Sequence, residues 1–157
     1  MKKLQKKCKE LIVLCGTSHC GKSTYAAKLR GYNVINSDTI RYNLTGSNGL
    51  GSSDGKVWDL FNRLKLECIE KGENIVLDAC HITPQARWHA LQNADGYKTI
   101  CVLFDVKLNT VKSRCKEKWA TEMWRTFSKT KPTKSDLLDE GFDEVIIVSG
   151  EKGGVEG

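Results

Sequence analysis

A glycine-bounded stretch near the start of the chain holds the residue types that bind phosphate. Gly16, Gly21, Lys22 and Ser23 match the P-loop spacing Gly-x-x-x-x-Gly-Lys-Ser. In such a loop the backbone N–H groups cradle the phosphates, the lysine reaches the β- and γ-phosphates, and the hydroxyl binds Mg²⁺. An apolar run precedes the motif and a helical pattern follows it, so the helix N-terminus adds its positive dipole end. The predicted site for ATP or another NTP comprises Gly16, Thr17, Ser18, His19, Cys20, Gly21, Lys22, Ser23 and Thr24.

Asp38 lies just beyond the second predicted strand and Asp78 ends the third, so both are expected at the same sheet edge as the P-loop. Asp38 could take a proton from an attacking hydroxyl as a general base, or it could simply cap a helix, although Ser37 could equally do so. Arg41 lies one helical turn beyond Asp38 and could bind an anionic group of the acceptor, or be a surface arginine. Asp78 could reach Mg²⁺ through water or orient Ser23, or be a capping aspartate.

His81 and Cys20 are two further polar candidates close to these positions. His81 lies three residues beyond Asp78 and is a candidate acceptor-binding residue, with a polar loop residue as the simpler interpretation. Cys20 lies near a helix N-terminus, which could lower the pKa of its thiol and make it oxidisable. We assign Cys20 no catalytic role.

The segment from Lys107 to Lys134 is strongly basic, with nine Lys or Arg residues against two glutamates. In phosphoryl transfer, such a segment could form a lid whose cations neutralise charge on the γ-phosphoryl group. A solvated basic face is the alternative. The aromatic residues among these charges could stack on bases or seat the lid; they are Trp119, Trp124 and Phe127.

Strand and helix patterns alternate along the chain. The predicted strands are 11–15, 32–36, 74–78, 98–104 and 144–149. The predicted helices are about 22–30, 38–44, 57–71, one that begins at Thr83-Pro84, and about 109–119. Residues 45–55 are predicted to form a mobile surface loop. This alternation predicts an α/β fold with a parallel sheet of about five strands, helices on both faces and the site at the strands' carboxyl ends.

Length and composition limit the possible classes of protein. The 157 residues fit one domain, with a basic arm at about 1–9, a lid at about 115–135 and a frayed tail at about 150–157. The first apolar run is only five residues long, so we expect neither a signal peptide nor contact with a membrane. Seven cysteines without a Cys-x-x-Cys pair favour reduced thiols in the cytoplasm. A net charge of +6 favours a polyanionic partner. The sequence also leaves open that the chain forms a homo-oligomer.

These motifs together resemble the polynucleotide 5′-hydroxyl kinase family, which includes kinase domains of bacteriophage and bacterial nucleic-acid end-repair proteins. The resemblance spans about residues 10–149 and rests on the P-loop, Ser37-Asp-x-x-Arg41, Asp78-Ala-x-His81, Arg87 and the closing Glu-Gly-Phe-Asp-Glu-Val. It implies an adenylate-kinase-like P-loop fold and ATP-dependent phosphorylation of a 5′-OH end of DNA or RNA. By the same resemblance, Asp38 matches the general base and Arg41 matches the arginine that binds the 3′-phosphate of the accepting nucleotide.

The resemblance also implies roles for other residues. The implied catalytic residues are Lys22, Asp38, Arg114, Lys118 and Arg125; the implied acceptor-binding residues are Arg41, Asp78, His81 and Arg87; the implied metal-binding residues are Ser23 and Asp78. This chain departs from the family in having Arg114-Cys-Lys-Glu-Lys118 where relatives often carry Arg-x-x-x-Arg, and His81 where many have Asn. Lys118 keeps the charge without the bidentate fork, and Arg125 could serve instead. The Asp-x-Asp-Gly phosphatase motif of many relatives is not found in the sequence, so only kinase activity is implied.

Two other functions fit the same residues. A P-loop kinase of a small molecule such as a nucleoside, sugar or antibiotic could use the same Asp38 and Lys22. A switch-type nucleotide binder is suggested by Thr133-Lys-Ser-Asp136, which imitates a guanine-recognition motif. That tetrapeptide follows a polar segment rather than a buried strand, which argues against the second alternative.

Overall fold

The computed structural model describes residues 9–45 and 54–149. Its strands are β1 (Lys9–Cys15), β2 (Asn33–Asn36), β3 (Ile75–Asp78), β4 (Tyr97–Phe104) and β5 (Glu144–Val148). Its helices are α1 (Lys22–Ala27), α2 (Ser37–Thr45), α3 (Asp54–Glu70), α4 (Pro84–Leu91), α5 (Leu108–Arg114), α6 (Lys118–Thr130) and α7 (Lys134–Glu140). Across the described ranges, no helix is long and apolar enough to cross a membrane.

The five strands form one parallel sheet in the order β2-β3-β1-β4-β5. Successive side chains of a strand point to opposite faces, so β1 contributes to two apolar cores. Leu11 and Val13 pack on the face covered by α3, whereas Ile12 and Leu14 pack on the face covered by α1 and α5. The predicted α/β P-loop fold is confirmed. Because all strands are parallel, the residues after β1, β2 and β3 meet at one edge of the sheet.

Several predicted boundaries before β3 differ from the structure, beginning with β1, which starts at Lys9 rather than at Leu11. Helix α1 ends at Ala27 rather than near residue 30, because the amides of Lys28 and Leu29 bond to carbonyls three residues back and tighten the last turn. Thr45 at the start of the predicted loop 45–55 lies in α2, and Asp54 and Gly55 at its end lie in α3, so these three residues are helical. Residues 46–53 of the predicted loop, residues 1–8 of the predicted arm 1–9 and the predicted tail 150–157 lie outside the described residues, and Lys9 of the arm belongs to β1.

The lid differs most from the sequence-based expectation. The predicted helix 109–119 is interrupted at Cys115, whose backbone is extended, and the polar segment after it is largely helix α6. Ala120, Trp124 and Phe127 explain this helix, because their spacing places them on one face. Ala120 and Phe127 are buried, and the Trp124 indole donates to the Val106 carbonyl at 2.9 Å. The aromatic residues Trp124 and Phe127 therefore seat the lid on the core.

Candidate active site

The phosphate-binding loop joins β1 to α1, and its backbone requires glycine at both ends. A Cβ atom on Gly16 would lie 2.6 Å from the Cys20 sulfur and 2.9 Å from the Phe104 Cβ, so only glycine fits there. The Gly16 amide donates to the Cys80 carbonyl at 2.9 Å, which holds the loop to the segment after β3. Gly21 has a φ of 104°, and His19 adopts a left-handed φ of 66°. These conformations give the strand–loop–helix geometry that the P-loop motif predicts.

Lys22 is buried at the start of α1, where its ammonium is held inside the loop. Its Nζ donates to the Thr17 carbonyl at 2.9 Å and lies 3.9 Å from the Cys20 sulfur. This position keeps the charge beside the phosphate cradle. Burial raises the pKa of the Cys20 thiol to about 11, so the expected low pKa of Cys20 is wrong: desolvation outweighs the nearby helix N-terminus and Lys22.

Ser23, Asn36 and Asp78 form a hydrogen-bonded cluster beside Lys22. The Ser23 hydroxyl donates to the Asp78 carboxylate at 3.0 Å, and the Asn36 amide donates to the same oxygen at 2.8 Å. Asn36 and Asp78 are aligned at the ends of β2 and β3 in the parallel register. A hydroxyl with a carboxylate fits Mg²⁺, which binds proteins through few ligands and takes the rest from phosphates and water. The structure thus brings together the two predicted metal-binding residues, Ser23 and Asp78.

Asp38 lies in the first turn of α2, and its carboxylate is 70% exposed. It pairs with Arg41 at 3.0 Å, so the two side chains share the helix face that the sequence predicts. The residue that caps α2 is Asn36, whose side-chain oxygen accepts from the Thr39 amide at 2.8 Å. The expectation that Ser37 or Asp38 provides this cap is therefore wrong. The Asp38 carboxylate can instead meet a substrate at the sheet edge where the P-loop lies.

Arg114 connects α5 to the P-loop. This exposed arginine, at the end of α5, donates to the His19 carbonyl at 3.0 Å. Its guanidinium also lies 3.5 Å from where a Cβ on Gly21 would be. The exposed Trp119 approaches the His19 ring, with 5.8 Å between the ring centroids. The end of α5 and the start of α6 therefore bring a cation and an aromatic ring to the phosphate loop.

The structure places the other two lid candidates on α6. Lys118 is 86% exposed, and its Nζ lies 3.9 Å from the Glu122 carboxylate. The Arg125 side chain is exposed on the same helix. Neither side chain has a described contact with the P-loop, unlike Arg114.

His81 and Arg87, predicted to bind the acceptor, are buried and engaged with the protein. The His81 ring lies 2.8 Å from the Leu14 carbonyl, and burial lowers its pKa to about 4. Arg87 is 2% exposed, forms a bidentate ion pair with Glu140 at 2.7 and 2.9 Å, and donates to the His81 carbonyl at 3.1 Å. These contacts tie α4 to α7 and to the loop after β3. The geometry corrects both expectations in favour of structural roles, because neither polar group is presented at the surface.

The tetrapeptide that imitates a guanine-recognition motif has a local explanation. The Thr133 hydroxyl accepts from the Asp136 amide at 3.0 Å, and the Asp136 carboxylate accepts from the Thr133 amide at 2.9 Å. These reciprocal bonds form a capping box at the start of α7. The motif is thus accounted for by helix capping.

Residues 11–135 match a protein family described as an AAA domain. A curated relative named "Putative bifunctional polynucleotide kinase/RNA ligase", from Autographa californica nuclear polyhedrosis virus, is 31% identical over 122 residues. That match covers 68% of this chain but only 18% of the relative.

Two solved structures share the fold at lower identity. A chain from the Pnkp1/Rnl/Hen1 RNA repair complex has a TM-score of 0.68 at 17% identity, covering 80% of this chain and 46% of that one. A gluconokinase from Sinorhizobium meliloti has a TM-score of 0.58 at 18% identity, covering 94% of this chain and 86% of that one. The chain thus spans less than half the length of its curated relative and of the repair-complex chain. It belongs to the AAA domain family, and its resemblance to the polynucleotide kinases is confirmed.

Proposed function

We propose that this P-loop kinase transfers the γ-phosphoryl group of ATP or another NTP to the 5′-hydroxyl end of DNA or RNA. One observation carries the proposal: the Asp38–Arg41 pair stands at the same sheet edge as the Lys22 cradle and the Ser23–Asp78 cluster. A base beside an anion-binding arginine suits an acceptor that carries both a hydroxyl and a phosphate. The names of the viral relative and of the RNA repair complex support a nucleic-acid acceptor.

In this reaction Asp38 accepts the proton as the 5′-oxygen bonds to the γ-phosphorus and the bond to the leaving diphosphate breaks. Lys22 and the loop amides bind the donor phosphates, while Arg41 binds a phosphate of the acceptor. Ser23 and Asp78 would hold Mg²⁺, which when bound would neutralise part of the phosphate charge. Arg114, already at the P-loop, adds positive charge near the transferred group.

The lid surface is the second support for a nucleic-acid acceptor. The exposed cations on this surface are Lys112 and Arg114 of α5 together with Lys116, Lys118, Arg125 and Lys129 of the predicted lid. Phosphate contacts by such residues release counterions, so affinity for a single strand should fall with a log–log slope of roughly −0.7 per contact. A neutral small acceptor would show little dependence on salt.

A small-molecule kinase is the second candidate, because the gluconokinase shares the fold over most of both chains. Measuring the KM of three acceptors at two ionic strengths distinguishes the two candidate functions. The acceptors are a 5′-OH oligonucleotide, a 3′-mononucleotide and a free nucleoside. We expect the oligonucleotide to be the best acceptor at low salt and to lose most as salt rises. A flat salt response, with the nucleoside equal or better, would transfer the assignment to a small-molecule kinase.

A further inference from the structure

Asn36 uses both ends of its side-chain amide at the point where the metal-binding cluster meets the helix that carries Asp38. We propose that Asn36 is a positioning residue that fixes the Asp78 carboxylate and the first turn of α2 relative to each other. Its role in turnover rests on the function proposed above. Its role in metal binding concerns only the nucleotide site.

The donor end of the amide fixes the Asp78 carboxylate. Asn36 Nδ2 lies 2.8 Å from Asp78 Oδ2, and the Ser23 hydroxyl donates to the same oxygen at 3.0 Å. Two donors on one oxygen restrict rotation of the carboxyl group. Because Asp78 is buried, these bonds also replace the water that an ionised carboxylate requires. Asn36 is therefore expected to hold the acid ready for Mg²⁺ before the nucleotide binds.

The acceptor end of the amide fixes the helix that carries the proposed base. Asn36 Oδ1 accepts from the Thr39 amide at 2.8 Å, and Asp38 lies between these two residues in the chain. Asparagine is among the few side chains that cap a helix well and can donate at the same time. Serine caps equally well, but it is too short to replace the amide donor at Asp78. Substitution can therefore separate the two halves of the role.

The experiment compares Asn36→Ser, which keeps the cap, with Asn36→Ala, which loses the cap and the donor. The control is Asn33→Ser at the other end of β2, where the Asn33 amide donates to the exposed Glu73 carboxylate at 3.0 Å. The first readout is the Mg²⁺ factor, defined as the dissociation constant of a fluorescent ADP analogue without Mg²⁺ divided by its dissociation constant with Mg²⁺. It needs no acceptor and no turnover.

We expect Asn36→Ser to lower this Mg²⁺ factor by about tenfold or more, the scale of one charge-assisted hydrogen bond, with little change in melting temperature. Saturating Mg²⁺ should restore its turnover on a 5′-OH oligonucleotide. Turnover of Asn36→Ala should stay low at the same Mg²⁺ concentration, because α2 has lost its cap. Asn33→Ser should behave as wild type in both assays.

An unchanged Mg²⁺ factor in a folded Asn36→Ser protein would overturn the proposal and leave Asn36 as a cap alone. If Asn36→Ser does not fold, Asn36→Thr carries the same test, since threonine also caps and favours a strand end. Wild-type protein that binds the ADP analogue with Mg²⁺ but phosphorylates no 5′-OH acceptor would refute the proposed function without touching this inference.

Discussion

Replacing Asp38 by asparagine should separate catalysis from stability, because the carboxylate neither caps α2 nor lies in the core. The folded state loses an i,i+3 ion pair between the exposed Asp38 carboxylate and the half-buried Arg41, worth about 0.2–0.5 kcal/mol. It also loses a favourable charge near a helix N-terminus, worth about 0.3–1 kcal/mol. Together these losses stay below about 1.5 kcal/mol. At about 2–4 °C per kcal/mol for a chain of this size, the melting temperature should fall by no more than about 6 °C.

Turnover of the Asp38→Asn variant should fall by ~10²-fold or more, because the amide keeps the shape of the side chain but cannot take a proton. Single-turnover transfer of labelled phosphate to a 5′-OH oligonucleotide measures this step, and a binding titration should show nearly intact ATP affinity. Asp136→Asn is the matched control, since Asp136 lies in the first turn of α7 and caps it. The control should lose stability at unchanged turnover. If Asp38→Asn also loses only stability, the general-base assignment is refuted.

Four further changes test other parts of the structure. Lys22→Ala should abolish transfer, and activity at the wild-type rate would remove the P-loop from the mechanism. Arg41→Ala should raise acceptor KM by about tenfold or more, selectively for 3′-phosphorylated acceptors; an equal effect with and without that phosphate would contradict the proposed contact. Arg87→Ala should lower the free energy of unfolding by about 3–5 kcal/mol in urea titrations, because it leaves Glu140 unpaired. A rise in acceptor KM at unchanged free energy of unfolding would argue against this structural role. Burial lowers the pKa of His81 to about 4, so between pH 6.5 and 4 the unfolded chain binds a proton that the folded chain does not. The free energy of unfolding should therefore fall as pH drops through this range, by about 1.4 kcal/mol per pH unit at most, and His81→Gln should flatten that part of the pH profile.

The P-loop and its sheet could be predicted because their signals are local. Residues 11–23 carry a strand pattern, fixed glycine positions and a lysine in one continuous stretch, so the fold has little freedom there. The alternation of elements then places Asp78 beside Ser23, since parallel strands bring their carboxyl ends to one edge. Helix α6 could also have been predicted, because Ala120, Trp124 and Phe127 have the spacing of one helix face. The many charged residues between them made this apolar spacing difficult to recognise.

The roles of buried charges could not be predicted, because they depend on partners far away in the chain. Lys65 lies on α3, whose sequence predicts an amphipathic helix, yet it is 2% exposed. Its ammonium donates to three carbonyls at the end of α4, those of His89, Ala90 and Gln92. Arg87 forms its ion pair with Glu140, which lies fifty-three residues later in the sequence. Asn36 was missed for the same reason: its cap is local and is typical of asparagine, but its bond to Asp78 joins the ends of two neighbouring strands that are distant in the sequence.

Under the proposed mechanism, the cations nearest the phosphate site are held on the P-loop before any nucleotide binds. Lys22 donates to the Thr17 carbonyl and Arg114 to the His19 carbonyl, so both occupy neutral acceptors of the same loop. A phosphate oxygen is a charged acceptor and forms the stronger hydrogen bond, so nucleotide binding favours exchange of these contacts. Lys22 is already buried and has lost most of its hydration during folding, whereas Arg114 is exposed and would lose its hydration only as the nucleotide binds. The cost of dehydrating the Lys22 ammonium is therefore met during folding, whereas the cost of dehydrating the Arg114 guanidinium would oppose nucleotide binding.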